Sequence, residues 1–268
     1  MKQEIKLVVT DLDGTLLTDN KVVSEATRSA IIACRDKGIR FAIASGRPLE
    51  PVLELIKEWG IEEHCDYVVA MNGAEIYDCH TLEKESFYQL PADVIKNIMK
   101  HYEDMNVRFY LFDKKIRYVN YSDSITKKQA EVFGEIEVQT DMFALCTRPF
   151  TKLIVECNPA DMAIVEKRGK EYQSDSCTCF KSAPNLFEFV DPRVNKSYGL
   201  KQLCERKGLS MKEVLAFGDT SNDIEMLKDA GIGVWMRNGT EDAKEVSDAS
   251  TLTNEEDGVA YYLNTYIL

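Results

Sequence analysis

One stretch constrains the fold of this chain more than any other: residues 10–16, which read Thr-Asp-Leu-Asp-Gly-Thr-Leu. An apolar run over 5–9 leads into this stretch, and the apolar pattern stops at the first aspartate. The pattern predicts a buried parallel strand that ends in two carboxylates, at the edge where open α/β sheets bind ligands. Gly14 allows the tight turn that follows the pair.

The two aspartates, Asp11 and Asp13, are separated by one residue, so on a continuing strand both side chains would lie on the same face. Two neighbouring carboxylates repel each other unless a cation or a proton lies between them. Mg²⁺ suits such a pair because it binds oxygen ligands and keeps water molecules that a phosphate can replace. A strand followed by an ordinary Asp-Gly turn is the alternative, and the downstream sequence decides between the two.

The composition indicates a globular protein and narrows its partners. With 268 residues, the chain can bury a large core as one domain or two. There are 33 basic and 45 acidic residues, and the net charge of -12 disfavours nucleic acid and anionic membranes as partners. No apolar stretch approaches the roughly 20 residues of a spanning helix. The first strand begins too early for a signal peptide, so a cytoplasmic protein is expected.

The eight cysteines are scattered and contain no C-x-x-C pair. The closest two, Cys177 and Cys179, lack further ligands at a spacing that would hold zinc, and the three histidines share no ligand spacing either. Reduced thiols are therefore expected.

Helical and strand-like segments alternate at short intervals in the first part of the chain. Helical spacing over 24–37 ends at Gly38, a buried strand is predicted over 39–44, a helix runs from Pro48, and a third strand covers 67–70. This alternation is typical of a doubly wound parallel sheet, which gives an α/β, Rossmann-like core.

The pattern changes to mixed strands and helices over 83–189, which we interpret as an inserted α+β domain. The first pattern then resumes with a helix over 196–207 and a buried strand over 214–217. The predicted core domain therefore consists of residues 1–82 and 190–268.

Three predicted core strands end in polar residues, and in a parallel sheet these ends share one crevice. Asp11, Asp219 and the carbonyl of Asp13 could hold a metal. Ser45 offers a hydroxyl, and Gly46 offers an amide at a helix N-terminus, where anions bind. Lys196 begins the helix at which the chain returns to the core, so its ammonium group could reach the same phosphate. The third polar strand end contains Asn222 and Asp223 beside Asp219.

Each motif has a plainer interpretation when taken alone. Residues 45–48 could be a helix-start turn, a single lysine is most often solvated, and residues 218–223 could be a strand exit with a helix cap. These plainer interpretations do not account for the occurrence of all the motifs together, in this order and each at the boundary of a helix or strand.

At these residues the chain resembles the haloacid dehalogenase superfamily. The motifs that carry the resemblance are Asp11-x-Asp13-Gly14-Thr15, Ser45, Lys196, and Gly218-Asp219-x-x-Asn222-Asp223. The inserted segment resembles the α/β cap (C2-type) of the Cof-type hydrolases. The turn over 72–74 and the segments over 181–184 and 194–196 resemble bacterial sugar-phosphate phosphatases.

The resemblance implies a role for each matching residue. Asp11 would be the nucleophile, and Asp13 would be the general acid and base. Mg²⁺ would be held by Asp11, the carbonyl of Asp13 and Asp219, with Asp223 supporting the waters of the metal. The transferring phosphoryl group would be bound by the amide of Leu12 and by Ser45, Gly46, Lys196 and Asn222.

The implied function is a Mg²⁺-dependent phosphatase for small phosphorylated metabolites, such as sugar phosphates. Two alternatives stay open: a phosphomutase that uses the same aspartyl-phosphate, and a non-catalytic phospho-aspartate switch like a receiver domain. Asp13 favours turnover, because an acid at this position can drive hydrolysis of the intermediate. The protein would be a monomer or a homodimer.

The inserted domain is expected to close over the crevice, exclude water and contact the non-phosphate part of the substrate. Candidate substrate-binding residues are Arg47, Asn72, Lys181 and Asn195. Two departures from the family pattern are Ser197, where glycine is common, and the bulky segment over 234–238. Trp235 and Arg237 in that segment are expected near the rim of the crevice, where they would affect substrate fit.

Overall fold

The computed structural model describes residues 4–172 and 174–268, which form an α/β protein. The strands are β1 (Leu7–Thr10), β2 (Arg40–Ala44), β3 (Tyr67–Ala70), β4 (Glu75–Asp78), β5 (Lys84–Ser86), β6 (Arg108–Asp113), β7 (Ile116–Val119), β8 (Ile136–Gln139), β9 (Lys152–Glu156), β10 (Thr178–Ala183), β11 (Leu186–Val190), β12 (Val214–Gly218), β13 (Ile232–Met236) and β14 (Ala249–Thr251).

The α-helices connect these strands. They are α1 (Glu25–Asp36), α2 (Leu49–Glu58), α3 (Ala92–His101), α4 (Ser124–Val132), α5 (Met142–Leu145), α6 (Met162–Glu171), α7 (Lys196–Lys207), α8 (Ile224–Asp229), α9 (Glu241–Glu245) and α10 (Gly258–Tyr262). Pro48, expected inside the first turn of α2, instead immediately precedes the helix.

The first of two compact units contains an eight-stranded sheet with the order β14-β13-β12-β1-β2-β3-β4-β5. The six strands from β14 to β3 are parallel, and β4 and β5 are antiparallel. Helix α1 packs against α10, and α7 packs against α8. Every residue of β1, β3 and β12 is buried, as expected when helices cover a parallel sheet. The predicted α/β fold with a parallel sheet is confirmed.

The pairing of β1 with its two neighbours, β12 and β2, determines where the polar residues that follow these strands meet. Thr10 at the end of β1 pairs with Phe217 in β12 and with Ile43 in β2. The amide of Asp11 then donates to the carbonyl of Phe217 at 3.0 Å. The residues that follow these three strands therefore lie at the same edge of the sheet.

The second unit comprises residues 50–52 and 87–194 and contains its own sheet. The strand order is β10-β11-β9-β6-β7-β8, and all pairs except the parallel β7–β8 pair are antiparallel. One face of the sheet carries an apolar cluster that includes Ile95 and Ile98 from α3 and Leu153 and Phe187 from the strands.

The limits of the second unit differ from the predicted 83–189. Strand β5 pairs with β4 and so belongs to the first sheet, which places the boundary after Ser86. Val190 pairs with Thr178 and Lys152 in the second sheet, and the unit continues to Val194.

Several short elements are absent from the sequence prediction, namely β8, β14, α5 and α9. The C-terminal segment forms a 3₁₀ turn over Asn254–Glu256, α10, and a π-helical turn over Leu263–Ile267. All eight cysteines, each within the described ranges, are free thiols. Among the helices of residues 4–172 and 174–268, none has the length and apolar character needed to span a bilayer.

Candidate active site

Three buried carboxylates meet at the carboxyl edge of the first sheet: those of Asp11, Asp219 and Asp223. Asp11 follows β1, Asp219 follows β12, and Asp223 ends a short 3₁₀ turn after β12. One oxygen of each residue lies within 4.8 Å of an oxygen of the other two. Such a cluster is unfavourable without a cation, and its all-oxygen donors suit a hard divalent ion.

A buried ammonium group from Lys196 partly neutralises this cluster. Nζ lies 2.5 Å from Oδ1 of Asp11 and 2.6 Å from Oδ1 of Asp223. Lys196 is the first residue of α7, and Asn195 caps that helix by accepting from the amide of Tyr198 at 2.8 Å. The cap therefore positions the lysine from the residue directly before it.

Close backbone packing also holds the start of α7. Gly73 has a φ of +95°, and a Cβ built there would lie 2.0 Å from the carbonyl oxygen of Asn195. Only glycine permits this approach. The predicted turn residue thus packs against the N-terminus of the helix that carries Lys196.

Asp223 orients the loop that carries Asp219. Its Oδ2 accepts from the backbone amides of Asp219 at 3.0 Å and Thr220 at 3.1 Å. The side chain of Asp219 accepts from the hydroxyl of Thr15 at 2.9 Å, and its carbonyl accepts from the amide of Thr240 at 2.7 Å. The carboxylate and the backbone carbonyl of Asp219 are therefore each held by a hydrogen bond from another segment.

Burial changes the protonation of the cluster. It raises the pKa of Asp11 to about 7, with a further contribution from Asp223 that Lys196 opposes. Burial, followed by the charges of Asp11 and Asp223, raises the pKa of Asp219 to about 8. Burial acts to lower the pKa of Lys196, but attraction to Asp11 and Asp223 outweighs this effect and raises it. The cluster thus carries more carboxylates than its one ammonium can neutralise.

Asp13 has different partners from Asp11, and the strand on which both would share a face ends before them, at Thr10. Gly14 then turns the chain with a φ of +86°. The carboxylate of Asp13 receives two bonds from Arg47, Nε to Oδ2 at 2.9 Å and Nη2 to Oδ1 at 2.7 Å. Lys21 donates to Oδ1 at 2.8 Å.

These two cations hold Asp13 in its ionised form. Burial acts to raise the pKa of Asp13, but Arg47 and then Lys21 outweigh it and lower the pKa. The sequence suggested Arg47 as a substrate-binding residue and did not indicate that it would pair with Asp13.

Hydrogen bonds of Ser45 and Asn72 organise the segments that follow β2 and β3. The hydroxyl of Ser45 accepts from the amide of Arg47 at 3.1 Å, and the carbonyl of Ser45 accepts from the amide of Asn72 at 3.0 Å. Asn72 has a left-handed backbone with a φ of 56°, and its Oδ1 lies 3.5 Å from Nδ2 of Asn222. A Cβ built at Gly46 would lie 3.0 Å from the same Oδ1.

The other predicted site residues lie as follows. Leu12 is fully buried between Asp11 and Asp13. Lys181 lies on β10 in the second unit, next to a register shift between Lys181 and Ala183. Its role in substrate binding, like those of Asn72 and Asn195, stays a prediction.

Trp235, expected near the rim of the crevice, has a largely buried side chain. It is only 8% exposed and packs with Leu227 and Ala243. Its indole N–H donates to the carbonyl of Thr240 at 3.0 Å. The bulk of the ring is therefore used in core packing, whereas Arg237 is exposed.

Three further residues support the site without a predicted role: Thr15, Lys21 and Thr240. The first belongs to the Asp11-x-Asp13-Gly14-Thr15 motif, so its position was a usable signal. Lys21 and Thr240 lie in loops, and no spacing pattern connects them to Asp13 or Asp219.

Comparisons with known proteins give one consistent picture. A family described as haloacid dehalogenase-like hydrolase matches residues 8–263. The 5-amino-6-(5-phospho-D-ribitylamino)uracil phosphatase YitU of Bacillus subtilis is 29% identical, covering 99% of this chain and 99% of the relative. Phosphatase YwpJ of the same organism is 28% identical, covering 97% and 99%. The crystal structure of a haloacid dehalogenase-like hydrolase from Bacteroides thetaiotaomicron has a TM-score of 0.86 at 30% identity, covering 97% and 99%.

Proposed function

Because the chain belongs to the haloacid dehalogenase-like hydrolases and is a phosphatase, we propose that it hydrolyses small phosphorylated metabolites with Mg²⁺ as its cofactor. The observation that carries the proposal is the buried Asp11, which contacts Lys196 and adjoins Asp219 and Asp223. A carboxylate beside a fixed cation can attack a phosphate that the same cation binds.

The proposed reaction has two steps. An oxygen of Asp11 attacks phosphorus, and the bond from phosphorus to the ester oxygen breaks as Asp13 gives that oxygen a proton. Water then attacks the aspartyl-phosphate while Asp13 takes back a proton, which regenerates Asp11 and releases inorganic phosphate. The negative charge of a bound phosphate would raise the pKa of Asp13 and so favour the protonated form that the first step needs.

The transferring phosphoryl group needs donors on several sides. We assign this role to Lys196, to the hydroxyl of Ser45, to the amides of Leu12 and Gly46, and to the side chain of Asn222. Phosphoryl transfer depends mainly on positioning and charge neutralisation, which such a set supplies.

The residues present fit a magnesium ion. Asp11, Asp219 and the carbonyl of Asp13 would hold it, and Asp223 would orient the loop and the waters of the metal. The fit rests on three buried carboxylates that bring oxygen donors together, and on the raised pKa values of Asp11 and Asp219. When bound, the ion neutralises charge on these carboxylates and on the phosphate.

The proposed substrates are monoesters of polyhydroxylated compounds, sugar phosphates among them. The support is that YitU, by its name, acts on a phosphorylated ribityl compound and matches this chain over nearly its full length. The inserted second unit is proposed to supply residues that select the non-phosphate part of the substrate.

Phosphate release from a metabolite panel, measured with Mg²⁺ and with EDTA, tests the proposal. We expect Mg²⁺-dependent release by the wild type and a loss of at least about 1,000-fold for Asp11→Asn, which cannot form the acyl phosphate. Failure of the wild type to release phosphate from any ester would overturn the proposal. An isomerised sugar phosphate without free phosphate would indicate a phosphomutase instead.

A further inference from the structure

Lys21 is held in an unusual backbone conformation close to Asp13. It lies in the loop between β1 and α1 with a φ of 62°, in the left-handed region. Its amide donates to the carbonyl of Thr18 at 2.9 Å, and its carbonyl accepts from the indole N–H of Trp59 at 3.1 Å. The backbone is therefore fixed on both sides of the residue.

The side chain of Lys21 places Nζ 2.8 Å from Oδ1 of Asp13, with side-chain exposures of 35% and 38%. Ion pairs that are this exposed contribute little to stability. The left-handed conformation is unfavourable for any residue that carries a Cβ. A gain in fold stability from the pair therefore does not explain why a lysine occupies this position, and strained residues often mark functional sites.

Lys21 and Arg47 approach Asp13 from different parts of the chain. Arg47 follows β2 and binds both carboxylate oxygens, while Lys21 binds Oδ1 from the loop after β1. Two cations from separate segments restrict the rotation of the carboxylate more than either one does alone. The Asp13 side chain is thus held in one orientation although it is partly exposed.

We infer that Lys21 is a positioning residue that orients Asp13 for proton transfer to the leaving alcohol. The inference rests on the proposed function, in which Asp13 is the general acid. Lys21 lowers the pKa of Asp13 and so opposes its protonation. Proton transfer also requires hydrogen-bond geometry at the ester oxygen, and a rotated carboxyl group would be a poorer acid even at a higher pKa.

Leaving groups of different basicity separate this role from a structural one. An alkyl phosphate releases a strongly basic alkoxide and needs the proton, whereas p-nitrophenolate leaves without one. Formation of the aspartyl-phosphate governs kcat/KM, so this parameter reports on the step in which the leaving group departs.

The experiment compares Lys21→Met, which keeps the aliphatic stem, with Lys21→Arg, which keeps a cation, and with Lys6→Met as the control. Lys6 pairs with Glu213 at 2.6 Å and is also partly exposed, at 46%. For Lys21→Met we expect kcat/KM to fall by at least about 10-fold with glycerol 2-phosphate and by less than about 3-fold with p-nitrophenyl phosphate. Lys21→Arg should recover most of the loss, and Lys6→Met should match the wild type.

Equal losses with both substrates would overturn the inference and indicate a structural role for Lys21. A matching rise in the inhibition constant of inorganic phosphate would also overturn it, because Lys21 would then bind the phosphoryl group directly. If Lys21→Met unfolds, the same comparison with Lys21→Gln decides. A wild type that releases no phosphate would refute the proposed function. An active wild type with a variant that loses the same activity on both substrates would refute only the role of Lys21.

Discussion

The ammonium nitrogen of Lys196 lies 2.6 Å from Oδ1 of Asp223, and neither side chain is exposed to solvent. The same nitrogen contacts Asp11, so one buried cation serves two buried carboxylates. Removal of that cation would leave both carboxylates desolvated and unpaired, which is the costly case for buried ion pairs.

Replacement of Lys196 by methionine is therefore expected to lower the free energy of unfolding by about 3 kcal/mol or more and to abolish phosphate release. Lys201→Met is the control, because Lys201 lies on the same helix and pairs with Asp229, but its side chain is 50% exposed. It should cost at most about 1 kcal/mol. Urea unfolding of both variants checks this, and equal small losses would contradict the expected role of burial.

Without metal, stability should fall as the pH rises from about 5 to 8, because the pKa of Asp11 is raised to about 7 and that of Asp219 to about 8. In this window the folded state keeps protons that the unfolded state has released, so a higher pH favours unfolding. Magnesium should reverse the trend by binding the ionised carboxylates.

Thermal unfolding at pH 5.5 and pH 8.5, with EDTA or Mg²⁺, measures this linkage. The stabilisation by Mg²⁺ should be larger at pH 8.5, and Asp219→Asn should remove most of it. A magnesium effect that is the same at both pH values would contradict the coupling between the buried carboxylates and the metal.

Gly14→Ala should damage the site more than an ordinary glycine substitution. A Cβ at Gly14 would lie 2.5 Å from Oδ2 of Asp219, whereas a Cβ at Gly38 would meet nothing within 4 Å, although φ is positive at both positions, +86° and +77°. Both substitutions carry backbone strain of about 1 kcal/mol or more. Only Gly14→Ala should also weaken the response of thermal stability to Mg²⁺, and an equal response in the two variants would contradict the contact.

Trp235→Phe should affect stability and leave substrate preference unchanged. The buried indole N–H donates to the carbonyl of Thr240, and loss of that bond is expected to cost about 1–2 kcal/mol. Because the ring packs with Leu227 and Ala243, the ratio of kcat/KM between a sugar phosphate and p-nitrophenyl phosphate should stay the same. A changed ratio would show that the ring influences substrate fit.

The sequence was sufficient to predict the convergence of Asp11 and Asp219, because both follow buried parallel strands. Strand ends in a parallel sheet share an edge, so apolar runs that stop at polar residues identify the site. The position of Lys196 near these carboxylates was predictable for a different reason. Lys196 begins a helix at the point where the α/β pattern of the core resumes.

The partners of Asp13 could not be read from the sequence. They depend on the direction that the chain takes after Gly14 and on long side chains from two loops, and neither has a periodic signal. The burial of Trp235 was missed for a related reason. An aromatic residue at the end of a short strand can face solvent or core, and only the position of α9 decides between them.

Asn195 caps the helix on which Lys196 is the first residue, and Gly73 packs against the same helix start. All three residues belong to the first unit, so the lysine is located by local contacts rather than by the segment of more than a hundred residues that precedes it. On the proposed function, lengthening, shortening or exchange of that segment during evolution would change the choice of metabolite without displacing Lys196.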